Sequence, residues 1–245
     1  MSRAGFLLSY PRYDEGEAGR RIAELRSLGV EALELRGPGT IMGVHVLGKG
    51  HVGVVVAALL GGRRVALKVR RADADRESLE AEATNLRLAN GVSVGPQLLG
   101  WSPNFLAMEL VEGEYLFDWV GGLGPSDGIR LSHILRMLLE AARRLDEAGL
   151  DHGELSMADR HVIVQGDEPR IVDFESASTS RRCGNVTSTA HYLFFNVRIR
   201  AAVGRVLPLP DGDRLRGVLG LYRRAPTDGG FSLVLEACGL AAQGF

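Results

Sequence analysis

Gly48-Lys49-Gly50-His51-Val52-Gly53-Val54-Val55 is a glycine-rich stretch whose continuation decides the fold. In a dinucleotide-binding domain such glycines follow a strand, open a helix, and precede an acidic residue ~20 positions on. Here Val54-Val55-Val56 continues as a β-branched run, so the glycines sit at a hairpin tip. A glycine hairpin lets backbone N–H groups approach phosphate oxygens closely. Fifteen residues past Gly53 comes Val65-Ala66-Leu67-Lys68. Lysine on an apolar strand is costly unless its ammonium meets an anion. The chain has 29 basic residues, of which only Lys49 and Lys68 are lysine, so a retained lysine stands out as a point charge.

Working outward, residues 44–47, 52–60 and 65–69 read as a three-strand antiparallel meander. Upstream, Ile22, Leu25 and Leu28 recur at helical spacing over residues 14–28, with Gly29 as the stop and a short strand over 31–35. Downstream, a charged helix is expected over 76–90, ended by Gly91, then strands over 97–101 and 105–111. After the Gly/Pro-rich stretch 121–125 the pattern turns helical. Ser126 or Asp127 caps an amphipathic helix bearing Ile129, Ile134, Leu135, Leu138, Ala142 and Leu145. A small hairpin of strands 161–164 and 170–174 follows, and three helical segments are expected from about Ala190. Strands with one helix, then helices with one hairpin, predict a two-lobed α+β protein with a cleft between the lobes.

Composition narrows the function classes. The 245 residues are 45% hydrophobic and 24% charged, an ordinary globular balance, and the net charge of −1 offers no basic field for nucleic acid. No apolar run approaches the ~18 residues of a membrane span, and no secretory signal pattern opens the chain, so the cytoplasm is the expected location. Cys183 and Cys238 have no zinc-ligand spacing and no disulfide role is expected.

Two further motifs carry chemistry: Asp151-His152-Gly153-Glu154-Leu155-Ser156, leading to Asp159-Arg160-His161, and Ile171-Val172-Asp173-Phe174-Glu175. Together they predict two carboxylates at one edge, a pair suited to a divalent ion and to a hydroxyl nucleophile. Taken alone, His152 reads as a packed structural imidazole, and 181–189 as a polar surface loop with hydroxyls and arginines.

In this order and spacing the motifs resemble protein-kinase-like folds, specifically the small atypical RIO and KEOPS-type kinases and a family of predicted archaeal serine/threonine protein kinases. The resemblance rests on Leu47-Gly48-Lys49-Gly50, Ala66-Leu67-Lys68, His152-Gly153-Glu154-Leu155-Ser156 and Asp173-Phe174-Glu175-Ser176, and covers about Val44 to Asn196. It implies ATP and Mg²⁺ as cofactors and a protein substrate or partner. Residues 41–120 would form a sheet-rich N-lobe with hinge, 121–245 a reduced helical C-lobe, and 1–40 an extension of the N-lobe.

Carried over residue by residue, Gly48, Lys49, Gly50 and Gly53 would cover the phosphates, and Val55 and Ala66 would sandwich adenine. Lys68 would bind phosphates and pair with Glu82, which fits the Glu-Ala-x-x-Leu rhythm better than Glu80. Met108 would stand as gatekeeper before a hinge of Glu109, Leu110 and Val111. Glu154 would orient the acceptor hydroxyl, and Asp173 with Asp159 would hold the metal.

The chain departs from the pattern at three places. Glu154 stands where relatives carry aspartate, adding a C–C bond of ~1.5 Å. The metal-binding asparagine is missing: Asp159 has its offset, whereas His161 has its place directly before the apolar strand. Glu175 replaces the glycine after Asp-Phe, and no Ala-Pro-Glu segment follows. These departures leave a nucleotide-binding pseudokinase as the alternative from another class. A small-molecule kinase of the aminoglycoside phosphotransferase kind is the other alternative, though such enzymes have a larger lobe after the acidic motif.

Overall fold

The structure, a computed structural model, describes residues 3–241. The backbone packs as two units. One runs through Arg87 and takes in Pro96–Val111; the other takes Leu88–Gly95 and resumes at Glu112.

The first unit opens with helices α1 (Arg3–Leu8) and α2 (Glu15–Ser27). Asp14 caps α2 by accepting the Glu17 N–H at 2.7 Å. The inward face of α2 is Ala18, Arg21 and Leu25, while Ile22 is exposed, which corrects the apolar stripe expected from spacing. Buried Arg21 is tolerated because its guanidinium pairs with Glu17 at 2.7 Å and donates to the carbonyls of Leu8 and Arg70. Glu24, on the same helix, accepts from the Ser102 hydroxyl at 2.6 Å and from the Asn104 backbone and side chain at 2.9 and 2.8 Å.

The strands are β1 (Val30–Glu34), β2 (Gly39–Ile41), β3 (Val44–Val46), β4 (Gly48–Lys49), β5 (Gly53–Leu60), β6 (Arg63–Arg70), β7 (Leu98–Ser102) and β8 (Phe105–Glu109). The main sheet runs β1-β5-β6-β8-β7 with β4 also on β5, every pairing antiparallel. The expected meander is corrected at its first member. Residues 44–46 pair back onto 39–41, and the glycine stretch itself supplies the strand on β5. The cause is a tight turn at Met42-Gly43, with φ of 48° and 78°. Methionine there hides the Asn-Gly or Asp-Gly cue that marks such hairpins.

Side chains alternate across a sheet, and directly opposed residues share a face. Val54, Val56, Ala58, Val65, Leu67, Val69, Phe105 and Ala107 lie on one face, in a core with Phe6, Leu7, Leu8, Leu25, Ile41 and Val46. The other face therefore carries Val55, Ala66, Lys68 and Met108, since Val55 opposes Lys68 and Ala66 opposes Met108. Helix α3 (Glu80–Gly91) begins four residues later than expected, and residues 72–79 are not helical.

The second unit contains β9 (Glu114–Tyr115), α4 (Leu116–Gly121), α5 (Gly128–Glu147), β10 (Val162–Gln165), β11 (Glu168–Ile171), α6 (Asn185–Phe195), α7 (Val197–Val203), α8 (Gly212–Arg224) and α9 (Asp228–Ala237). Short 3₁₀ turns occupy Pro125–Asp127 and Leu155–Met157. Ile134, Leu135, Leu138, Ala142 and Leu145 of α5 are fully buried, but Ile129, in its first turn, is 90% exposed and falls outside the stripe.

Half-buried Asp146, also on α5, accepts from the Asn185 backbone and side chain at 2.9 Å each, from Val186 N–H at 3.3 Å, and from the Tyr222 hydroxyl at 3.1 Å. Those bonds join α5 to α6 and α8. They also correct the expected loop over 181–189: Asn185 starts a helix, and Val186, Thr187 and Thr189 are buried. Helix formation here overrides a Ser/Thr-rich sequence because Asn185 also donates to the Leu150 carbonyl and accepts the His152 N–H. Four helices follow β11 among the described residues, where three were expected.

The fold is thus α+β, an antiparallel sheet in the N-terminal region and helices in the C-terminal region. Among the described residues no helix is long and apolar enough to cross a membrane.

Candidate active site

Lys68 is 2% exposed on β6, and its Nζ lies 2.8 Å from Glu82 Oε1 on α3; Glu82 is 3% exposed. The alternative partner, Glu80, is exposed to solvent. An ion pair this deep is expensive to desolvate, and replacing both partners by apolar residues is often neutral or stabilising. Its retention points to a use for the ammonium other than stability.

Gly53 lets the Lys68 side chain pass. A Cβ at residue 53 would meet Lys68 Cγ at 2.9 Å and the Val69 carbonyl oxygen at 3.0 Å. Gly53→Ala is expected to lower stability by about 1–3 kcal/mol, the cost of overpacking against backbone. A shift in the urea midpoint checks this; an unchanged midpoint would mean that Lys68 has room to move.

The remaining residues of the first motif set are placed as follows. Gly48 pairs with Val55, and the Gly50 N–H donates to the Gly53 carbonyl at 2.8 Å, closing the hairpin tip. Ala66 is buried and Val55, Met108, Glu109 and Leu110 are half-buried. Glu109 ends β8, its N–H donating to the Gln97 carbonyl at 2.8 Å while its carboxylate accepts the Gln97 N–H at 3.1 Å. Lys49 is exposed, its Nζ over the Tyr10 ring at 5.4 Å from the centroid.

In the second unit, ligand atoms of Glu154, His161 and Asp173 lie within 4.8 Å of one another. Asp173 is not at a strand end as expected: β11 stops at Ile171, and Asp173 takes a left-handed φ of 66°. Non-glycine residues adopt that region seldom, and aspartate is among those that tolerate it. Three contacts hold it there. The Val172 N–H donates to the His161 carbonyl at 2.9 Å. His152 Nε2 lies 3.2 Å from the Val172 carbonyl, which makes it the donor, and the His152 ring packs edge-on against buried Phe174 at 5.0 Å. His152 thus grips the residues on both sides of Asp173. Burial pushes its pKa down to about 4, so it stays a neutral, structural imidazole.

His161 is buried with its Nε2 3.8 Å from Glu154 Oε2, beyond hydrogen-bond reach, and its Nδ1 has no hydrogen-bond partner. Asp159 lies outside this group of three. After burial itself, its charge is the largest influence raising the pKa of Tyr192. The structure therefore groups His161, rather than Asp159, with the two acids. The sequence cue was its place directly before the strand that becomes β10.

Sequence reading also missed how the segment after Phe174 is anchored. Asp151 and Ser178 exchange backbone hydrogen bonds at 2.9 and 2.8 Å. Arg181 Nε donates to Asp151 at 2.9 Å, and its Nη2 to the Ser176 carbonyl.

No family model matches the chain. It is similar to a Caenorhabditis briggsae protein named "Probable serine/threonine-protein kinase zyg-1", 32% identical over 114 residues, which is 45% of this chain and 16% of that one. It is also similar to a Bacillus subtilis (strain 168) protein named "Putative serine/threonine-protein kinase YrzF", 25% identical over 153 residues, 61% of this chain and 68% of that one. The chain spans about a sixth of the first relative and about two thirds of the second. These distant, partial likenesses support a protein-kinase-like chain in general terms.

Proposed function

We propose that this protein is an ATP-dependent phosphotransferase of the small atypical serine/threonine kinase type, moving the γ-phosphoryl group to a hydroxyl on a protein. The buried Lys68–Glu82 pair carries the reading, because it stands on the sheet face that also presents Val55, Ala66 and Met108. An apolar strip beside one ammonium suits an adenine base followed by phosphates. Lys68 holds phosphate oxygens while Glu82 fixes its direction, and the lack of side chains at Gly48, Gly50 and Gly53 lets the hairpin backbone come close to the phosphates.

In this reading Glu154 orients the acceptor hydroxyl and accepts its proton as the phosphoryl group leaves ATP. Asp173, with His161 or Asp159, would hold the divalent ion that neutralises charge on the phosphates. A set of two carboxylates and one imidazole, whose Nε2 stands 3.8 Å from a Glu154 oxygen, fits such an ion. Catalysis is then mostly positioning and charge stabilisation.

The test is incubation with γ-labelled ATP and a divalent ion, scoring nucleotide affinity, protein-bound label and free phosphate. Binding with label transfer supports the proposal. Tight binding with neither transfer nor phosphate release would make the chain a nucleotide-dependent scaffold, and absence of binding overturns the reading.

A further inference from the structure

We infer that Glu154, His161 and Asp173 form a mixed nitrogen–oxygen site that takes a first-row transition dication, of the Mn²⁺ or Co²⁺ class, in preference to Mg²⁺. The inference deepens the phosphotransferase reading by naming the ion at that same site.

The spacing is the first argument. Two groups on one ion, each at roughly 2.1 Å, lie roughly 3 to 4 Å apart. His161 Nε2 and Glu154 Oε2 are 3.8 Å apart, too far for a hydrogen bond and suited to two ligands of one ion. All three donor atoms fall within 4.8 Å of one another.

The second argument is the imidazole. His161 is 6% exposed, and its Nε2 points at Glu154 Oε2 across 3.8 Å without a hydrogen bond to it. That Nε2 lone pair is the one a cation held between the imidazole and the carboxylate would take. The ring is braced for that use by edge-on packing against His152 at 5.5 Å and by the backbone bond from Val172 to its own carbonyl.

The third argument is selectivity. Mg²⁺ prefers an oxygen shell and keeps its waters, whereas imidazole favours first-row transition ions, whose affinities rise from Mn²⁺ through Co²⁺. Replacing an amide oxygen by an imidazole nitrogen moves a site in that direction. Glu154 has two carboxylate oxygens, so one on the ion leaves the other to face an acceptor.

The experiment is made without nucleotide, on the full chain. Mn²⁺ binding is followed by electron paramagnetic resonance, with pulsed measurements for nitrogen coupling, and Co²⁺ and Mg²⁺ compete against it. Expected are a nitrogen coupling in the wild type and a Co²⁺ affinity at least tenfold above that for Mg²⁺. His161→Asn is expected to remove the coupling and shrink the Co²⁺/Mg²⁺ ratio about tenfold or more, with folding checked by circular dichroism. Because the coupling is read on the unmodified protein, the inference stays testable if that variant does not fold. Mn²⁺ bound without nitrogen coupling, equal affinities for Co²⁺ and Mg²⁺, or no binding at millimolar ion would each overturn it. Nitrogen-coupled Mn²⁺ in a protein that binds no ATP would instead leave the site standing and remove the phosphotransferase reading.

Discussion

Lys68→Met is expected to lower the stability of the protein by about 3–5 kcal/mol and to abolish the proposed nucleotide binding. The stability loss follows from Glu82, which keeps its charge at 3% exposure after its 2.8 Å partner is gone. Removing one member of a buried ion pair typically costs about this much. The double substitution Lys68→Met with Glu82→Leu separates the two effects. With both charges gone the desolvation cost disappears, so the urea midpoint recovers most of its value. Nucleotide affinity does not recover, because no ammonium remains for the phosphates. If the double variant regained ATP binding, the assignment of Lys68 to phosphate would be wrong. If Lys68→Met melted like wild type, the pair would be solvated in a way its burial denies.

Glu154→Gln is expected to cut label transfer by about 100- to 10,000-fold while leaving ATP affinity within a fewfold. The amide keeps the size and hydrogen-bonding capacity of the side chain but cannot accept a proton from the acceptor hydroxyl. The comparison with Glu154→Asp is informative because the shorter side chain is the one the kinase resemblance implies at this position. A ~1 Å displacement of a catalytic group can itself cost ~100-fold. The backbone around residue 154 is set by the 3₁₀ turn Leu155–Met157, whose Met157 N–H donates to the Glu154 carbonyl at 2.9 Å. If that turn compensates for the longer side chain, Glu154→Asp will be slower than wild type rather than faster. Unchanged transfer in Glu154→Gln would remove Glu154 from the chemistry.

Much of this was legible in the amino-acid order, for physical reasons that can be named. Strands β5, β6 and β8 are β-branched or apolar runs bounded by turn residues, and α5 keeps a helical period from Ile134 to Leu145, so there local pattern and final structure agree. Glu82 was favoured over Glu80 only by the Glu-Ala-x-x-Leu order of the kinase resemblance, and the structure pairs Lys68 with Glu82, beside buried Ala83 and Leu86. The failures are equally local. Met42 adopts a left-handed backbone that methionine seldom takes, so the β2–β3 hairpin gave no cue. Asn185 begins a helix because half-buried Asp146, far away in sequence, accepts its N–H. Arg21 is buried although arginine is ordinarily a surface residue, since its three partners come from three different segments. His161 could be placed beside the acids only once β10 and β11 fixed their register, with Val162 opposite Ile171.

The links made by Arg21 and Glu24 have a practical bearing on where the protein can be cut. A fragment beginning at residue 41, upstream of the glycine hairpin, would keep every motif that marks the chemistry. It would also strip the sheet of Phe6, Leu7, Leu8 and Leu25, opening one apolar face to water. The Ser102 hydroxyl and the Asn104 amide groups would lose the carboxylate that holds the β7–β8 connection. Such a minimal fragment is expected to aggregate on expression. Recombinant fragments for binding work should therefore begin no later than α1.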